Sequence, residues 1–355
     1  MLNYGRPLAT AIAAVATALM SGTGFAAESK GALYGDLRLS LDWADDNSAA
    51  RGPTWAATDN NSIWGVKAST ARGGLTVFGA YERFIDSDDR SIPGVPVEFT
   101  RQAYLGLTSF CGTIKFGRHS TAYADAGRKI DPFYNTVASG AGGLASAGSI
   151  LRGGNSHGTS SPFNADFLGS AFVANHLAYQ SPSFLGFSAN AALFLDETQT
   201  ADQDHDYGGG LEFNGSGVTA GVQFLDANGA NGATWGTDVE ALRAYAGYAH
   251  SRFGASASWE RLDRAGGAGN ADFLMVSGWY GVLEHTRIAA SFGLENESGT
   301  EGDSLRVGVF HDVVENFTVW AAARRYNERV AANPDADVAT VGVSYKFSLG
   351  FVPPQ

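Results

Sequence analysis

The stretch Leu33-Tyr34-Gly35-Asp36-Leu37-Arg38-Leu39-Ser40-Leu41-Asp42-Trp43 decides how the rest of the chain is read. Leu33, Leu37, Leu39, Leu41 and Trp43 fall on one face, and Tyr34, Asp36, Arg38, Ser40 and Asp42 on the other. That alternation is the period-2 signature of a strand and excludes an amphipathic helix here. It recurs along the chain: Phe187, Ala189, Ala191, Leu193 and Leu195 oppose Ser188, Asn190 and Ala192. Val218, Ala220, Val222 and Phe224 oppose Thr219, Gly221 and Gln223, while Phe253, Ala255, Ala257 and Trp259 face away from Ser256, Ser258 and Glu260. Ile288, Ala290, Phe292 and Leu294 oppose Arg287, Ser291 and Glu295; Leu305, Val307 and Val309 oppose Arg306 and Gly308. Val341, Val343, Tyr345 and Phe347 repeat the pattern near the C-terminus. In 317–328 the adjacent Arg324 and Arg325 leave the strand's orientation open.

The connections alternate in length. Short ones carry turn residues, as in Ala71-Arg72-Gly73-Gly74, Ser109-Phe110-Cys111-Gly112, Ser181-Pro182-Ser183 and Asn214-Gly215-Ser216-Gly217, with others near 250–252, 283–284 and 314–316. Between them lie Asp/Asn/Gly-rich loops near 44–60, 86–97, 197–205, 227–237, 264–269, 297–302 and 329–336, and the longest runs from about 120 to 168. The segments between these breaks give about sixteen strands, an even number with both chain ends on the short-turn side.

The opening residues read as an export signal. Arg6 supplies a positive start, Leu8 to Met20 an apolar run, and Gly24-Phe25-Ala26 the small residues that precede cleavage after Ala26. Two regions are therefore expected: residues 1–26 as signal peptide and 27–355 as the exported domain. Cleavage would remove one basic residue and no acid, leaving 23 basic residues against 36 acidic and a formal charge of −13.

Composition narrows the class further. Charged residues are 17% of the chain, against roughly 25% in soluble domains, and 46 glycines in 355 residues are about twice the usual share. One cysteine, Cys111, cannot build a disulfide or a Cys-based zinc site. The acidic balance argues against a nucleic-acid partner. Beyond the N-terminus no apolar run reaches the roughly 18 residues of a membrane helix. Short turns on one side and long loops on the other is instead the layout of a transmembrane barrel. In hydrocarbon every backbone N–H and C=O needs an internal partner, so a sheet that crosses the bilayer must close on itself. A slip of one residue would turn Asp36, Arg38 and Asp42 toward lipid, where a basic residue costs roughly 2–4 kcal/mol at the midplane. The expected fold is all-β, a sixteen-stranded antiparallel transmembrane β-barrel.

Particular strings carry a family likeness. Leu33 to Arg38 resembles the first strand of Gram-negative general porins. Arg101 to Leu107, followed by Gly112 to Arg118, is similar to the family's fourth and fifth strands, which lead into its constriction loop. Asn175 to Phe184 resembles the stretch that resumes the barrel, and Val341 to Phe347 the closing strand with its terminal aromatic. The likeness spans the whole exported chain. It implies an outer-membrane diffusion pore, usually a homotrimer, whose long third extracellular loop folds into the lumen. Family members set basic residues on one wall against acids on that loop. There are departures: the chain continues past Phe347 to Gln355, Phe172 stands where an arginine is common, and only Asp131-Pro132-Phe133-Tyr134 approaches the family's Pro-Glu-Phe-Gly-like loop string.

With the outward face fixed by parity, Arg38 and Lys67 point into the lumen, as does Glu82 if Val77 and Tyr81 point out. Arg118, at the junction of strand and loop, best matches the family's basic wall residue. Asp125 and Asp131 are the loop's candidate acids, accompanied by Arg128, Lys129, Arg152 and Asp166. Opposed fixed charges in a narrow water-filled pore bias ion passage. Arg101 shares parity with Ala103 and Leu105, which places it at a rim or subunit contact. The acidic outer loops favour cations at the mouth and the basic wall favours anions at the neck, so ion preference stays open. The expected partners are small hydrophilic solutes, ions and outer-membrane lipid; no cofactor, metal or catalytic residue is expected. Gly154-Asn155-Ser156-His157-Gly158 matches the nucleophile-elbow pattern without its strand–turn–helix context. An outer-membrane esterase using Ser156 and a barrel adhesin are the rival readings. Asp86, Asp88 and Asp89 read as a solvated acidic loop more readily than as a Ca²⁺ site.

Overall fold

The computed structural model describes residues 28–45, 53–85, 100–134, 136, 172–195, 206–227, 239–264, 270–297, 300–328 and 336–351. The predicted signal peptide, the Ser156 string, the acidic stretch at 86–89, Arg152 and Asp166 lie outside them.

Seventeen strand segments form one antiparallel sheet. The chain climbs and descends through β1 (Glu28–Asp45), β2 (Thr54–Asp59), β3 (Ile63–Arg72), β4 (Leu75–Phe84), β5 (Thr100–Ser109) and β6 (Gly112–Ser120). A helix, α1 (Ala122–Ile130), follows before β7 (Phe172–Gln180), β8 (Phe187–Phe194), β9 (Asp206–Gly215), β10 (Val218–Ala227) and β11 (Val239–Ala249). The circuit continues through β12 (Phe253–Arg264), β13 (Ala271–Leu283), β14 (Thr286–Glu297), β15 (Thr300–Val314), β16 (Phe317–Glu328) and β17 (Ala336–Phe351). Apart from the collinear β2 and β3, each strand pairs with its sequence neighbours, and β17 returns to β1, so the sheet closes.

Seventeen segments make sixteen barrel strands because β2 and β3 are two parts of one. Both pair with β1, the first from Leu39↔Asp59 upward and the second from Asp36↔Ile63 downward. Between these pairs Asn60, Asn61 and Ser62 oppose only Leu37 and Arg38, which is a bulge with one extra residue. Asn61 takes a left-handed φ of 63°, a region asparagine tolerates. The Ser62 hydroxyl accepts from the Arg38 amide at 2.8 Å, and the Asn60 side-chain amide donates to the Ser40 hydroxyl at 2.8 Å. This corrects the expected loop at 44–60: its last third is strand, with Trp43 opposite Trp55.

Sidedness follows the alternation in the sequence. Leu37, Leu39 and Leu41 are 39%, 43% and 49% exposed, while Asp36, Ser40 and Asp42 are 6%, 8% and 2% exposed. The apolar face therefore looks outward and the polar face inward, the reverse of a soluble sheet. Val66, Val77, Leu105, Ile114, Val222, Val276, Ile288, Val307 and Val343 extend the outward band around the cylinder. Exposed aromatic side chains gather at its edges: Phe110, Phe184, Phe187, Tyr280 and Phe351 near the short turns, and Trp55 and Tyr207 at the long-loop ends of their strands. Such rings sit well at a lipid–water boundary because one side is apolar and the other polarisable or polar.

Register also settles the two questions left at the C-terminal end. In β16, Trp320, Ala322, Arg324 and Tyr326 are buried, so Arg324 faces in and Arg325 faces out. The strand does not stop at Phe347: β17 runs to Phe351, which sits opposite Gly31, and the β1–β17 seam continues from there to Asp45↔Asp337. The terminal aromatic of the closing strand is thus Phe351.

The parity makes a direct prediction. Val276→Lys, on the lipid face near the middle of β13, should lower the unfolding free energy by about 2–4 kcal/mol in urea titrations of protein folded into lipid vesicles. Ser69→Lys, on the inward face of β3, should change it by no more than about 0.5 kcal/mol. Equal losses would show that the two faces are wrongly assigned.

Candidate functional site: the lumenal neck

The third long connection begins inside the barrel. Thr121 caps α1, its hydroxyl accepting from the Ala124 amide at 3.0 Å. Asp125 lies in the first turn, with Arg128 and Lys129 in the last, so the charges complement the helix dipole. Gly117, with φ of 131°, carries β6 past Tyr104 toward this helix; a Cβ there would lie 2.3 Å from the Ala103 carbonyl oxygen. On the return side, Asn175 adopts a φ of 52° within a bulge of β7. The imidazoles of His119 and His176 stack between the two strands, centroids 3.8 Å apart.

One side of α1 is fastened to the wall formed by β9 to β12. The Tyr123 hydroxyl donates to Glu260 Oε1 at 2.6 Å, and Arg243 donates to the Tyr123 carbonyl while pairing with Glu260 at 3.1 Å. The Arg243 guanidinium also covers the Tyr123 ring at 4.2 Å. All three groups are buried, and taking away one partner of a buried charge pair typically costs about 3–5 kcal/mol. Burial and the Glu260 charge together push the Tyr123 phenol well above its ordinary pKa, which keeps it a neutral donor. Lys129 pairs with Glu212, to which Tyr245 also donates. At the helix C-terminus the Ile130 carbonyl accepts from the hydroxyls of Ser256 and Ser277, each at 2.8 Å.

Beyond the helix, the Asp131-Pro132-Phe133-Tyr134 string crosses to β14, β15 and β16. Asp131 pairs with Arg306 at 3.5 Å and accepts from the Phe133 amide at 3.0 Å. Burial raises the Asp131 carboxyl above the usual carboxylate range, against the opposing pull of Arg306. Phe133 is fully buried among Ala289, Phe310, Trp320 and Ala322. Truncating such a ring ordinarily costs about 3–5 kcal/mol. Arg306 donates to Ser291 at 2.7 Å and stands directly opposite Arg324 on the next strand. Among the described residues, two guanidiniums thus share one wall patch with a single paired carboxylate, Asp131.

The other wall, from β1 to β6, carries a second charge set. Arg38 pairs with Asp36, and its guanidinium also donates to the Asn61 carbonyl at 3.3 Å. Lys67 lies 5.1 Å from the Tyr34 ring centroid, and Lys115 is 5.5 Å from that of Tyr104. Glu82 accepts from Tyr34 at 3.1 Å, from Gln102 at 3.1 Å and from Arg101. The loop reaches this wall through Arg128, which pairs with Asp125 at 2.7 Å and lies over Phe172 at 4.8 Å. Arg101 covers the same Phe172 ring at 4.1 Å. The ring that stands in place of the family's arginine is therefore flanked by two guanidiniums.

The residues expected at the neck thus divide. Arg38, Lys67 and Glu82 occupy the inward wall, Asp125 sits on the helix side toward Phe172, and Asp131 is tied to the opposite wall. Arg118 departs from expectation. It pairs with Ala103 in register, on the face of Phe116 and Leu105, and its Nε donates to the Thr100 carbonyl at 2.8 Å. Arg101 departs in the other direction. A register shift sets Glu82 opposite Gln102 but Arg83 opposite Thr100, so Arg101 is the extra residue and its side chain swings to the lumenal Glu82. Parity reverses at such an insertion, and nothing in the local string announces it. Arg243, Glu260, Arg306 and Arg324 were not singled out from the sequence. Alternation does place Glu260 and Arg306 inward, and that signal was available.

No curated protein matches the sequence. Among solved structures, the anion-selective porin from Comamonas acidovorans aligns with a TM-score of 0.70 at 16% identity, covering 90% of this chain and all of that one. OmpF of Salmonella typhi aligns at 0.65 and 17% identity, covering 89% of this chain and 97% of its own. The trimer form of OmpT, an outer membrane protein of Vibrio cholerae, aligns at 0.61 and 18%, covering 90% and 100%. The sequence pattern of the Gram-negative porins matches residues 9–350. With nearly its whole length matched and a closed sixteen-stranded barrel, the chain belongs to the Gram-negative porin family of the outer membrane.

Proposed function

We propose that this porin passes ions and small hydrophilic solutes by passive diffusion, without catalysing a reaction, and that α1 with the Asp131–Tyr134 string narrows its lumen. The observation that carries this reading is the inversion of sidedness: the barrel turns apolar residues outward and directs arginines, lysines and carboxylates into its interior. The loop's four polar attachments, at Glu260, at Glu212, at Ser256 with Ser277, and at Arg306, support a fixed constriction rather than a free lid. Export through the periplasm, removal of residues 1–26 and assembly as a homotrimer complete the proposal; the trimer form known for the Vibrio cholerae protein supports the last part.

The neck should favour anions. Among the described residues the inward Lys67, Lys115, Arg287 and Arg324 have no carboxylate within ion-pair distance. Against them stands Asp42, buried and with both carboxylate oxygens without a hydrogen bond. Near-surface effective dielectric values let such fixed charges act at several ångströms inside a narrow pore.

Purified protein in a planar bilayer should conduct in steps, and its reversal potential in a salt gradient should indicate anion preference. Arg324→Gln should move that potential toward cations, whereas Arg118→Gln, on the lipid-facing side, should leave it unchanged; silent bilayers with folded protein would end the channel reading.

The raised Asp131 carboxyl sets a pH dependence. As pH falls from neutral, Asp131 takes up its proton before ordinary exposed carboxylates do, leaving Arg306 and Arg324 without their counter-charge. Anion preference should therefore rise in that window and be lost from the titration in Asp131→Asn. The same variant should accelerate hydrogen exchange of the α1 amides while barrel melting stays in place.

Native mass spectrometry of protein extracted from outer membranes reads processing and assembly together: three copies are expected, each beginning at Ala27.

A further inference from the structure

A separate recess of about 340 Å³ opens beneath the C-terminal end of α1, on the side of the short turns. Its upper edge is Arg128, Lys129, Asp131 and Tyr134; its far wall is Trp279 and Arg287. Three cations therefore border it against one acid, and Asp131 is already held by Arg306. Arg128 and Lys129 are paired to Asp125 and Glu212. Arg287 is different. Its guanidinium carbon lies over Phe310, 4.8 Å from the ring centroid, and no carboxylate stands within ion-pair distance of it among the described residues. Asp312, the next inward-lying acid along β15, acts on Arg287 coulombically from beyond ion-pair distance and accepts from the Thr318 hydroxyl at 2.6 Å.

A cation–π contact with an aromatic face is not a hydrogen bond, so a guanidinium held over a ring keeps N–H donors for a carboxylate. The helix end would ordinarily repel an anion, since its carbonyls carry the negative pole of the dipole. Here the Ile130 carbonyl that faces the recess is covered by two serine hydroxyls. Trp279, packed against the Phe133 cluster, supplies a fixed apolar wall. A charged fork beside a flat ring, in a space of this size, fits a solute with one carboxylate and a compact apolar body.

We propose that this recess is a binding site for small organic monocarboxylates, anchored by Arg287 and walled by Trp279. The site rests on the channel reading only for its access from the lumen. Benzoate is the probe, with benzamide as its uncharged counterpart. Equilibrium dialysis of folded, detergent-solubilised protein against labelled benzoate should show saturable binding, weakened at least tenfold in Arg287→Gln and partly restored in Arg287→Lys. Benzamide should bind at least tenfold more weakly than benzoate, and Arg118→Gln should leave benzoate binding unchanged. Equal binding of the two probes, or benzoate binding indifferent to Arg287→Gln, would overturn the site. Bilayers that conduct while dialysis finds no benzoate binding would remove the site and keep the channel. Silent bilayers with Arg287-dependent dialysis would do the reverse.

Discussion

Backbone hydrogen bonding in the absence of water is the constraint on which the rest depends. A strand edge facing hydrocarbon would leave a row of N–H and C=O groups unpaired, each at a cost of several kcal/mol. The seam between β1 and β17 removes that edge, and its register extends from Gly31↔Phe351 to Asp45↔Asp337. Once this pairing is fixed, parity assigns the residues of each regular strand to lipid or lumen, and only bulges reset it. The long first and last strands are therefore as much a part of the sidedness as the leucines they display.

Closure creates a second problem, an interior too wide to be filled by wall side chains. The third loop answers part of it. Its helix lies against one wall, packing Tyr123, Ala126 and Ile130 on apolar wall residues, and its Phe133 enters an apolar niche between Phe310, Trp320 and small alanines. The attachments are polar and charged because the wall facing them is polar. Arg243 and Glu260 would be an expensive pair to bury in isolation; the Tyr123 hydroxyl and carbonyl satisfy donors and acceptors that the pair alone leaves open. What remains on the opposite wall is a set of cations and largely buried carboxylates on the inward face, with Tyr34, Tyr104 and Phe172 lending aromatic faces to Lys67, Lys115, Arg101 and Arg128.

Where strands are regular, the lumen could be read from the residues themselves. Arg38, Lys67 and Glu82 lie where alternation places them, and so do Glu260 and Arg306, whose chemistry went unassigned. Where a strand carries an insertion, alternation misleads. Parity alone assigns Arg101 outward, yet it turns inward because the β4–β5 register shifts by one residue beside it. Arg118 was assigned to the lumen from likeness to relatives, yet its own strand keeps strict parity from Phe116 and sends it out. The segment Thr54–Asp59 was read as loop because Asn60-Asn61-Ser62 interrupts it, although Trp55 and Ala57 preserve the outward face.

The amino-acid order by itself determined the class of fold, the strand number, the alternation of turns and loops, and which face meets lipid. These are local properties: a period of two along the chain, and turn residues at intervals. The tertiary structure decided which charges meet. Asp131 lies 175 residues from Arg306, and Tyr123 lies 137 from Glu260. Such partners become neighbours only when the sheet closes and the third loop is laid against a particular wall. Register shifts at single residues, which no local pattern encodes, then fix whether a given arginine reaches water or lipid.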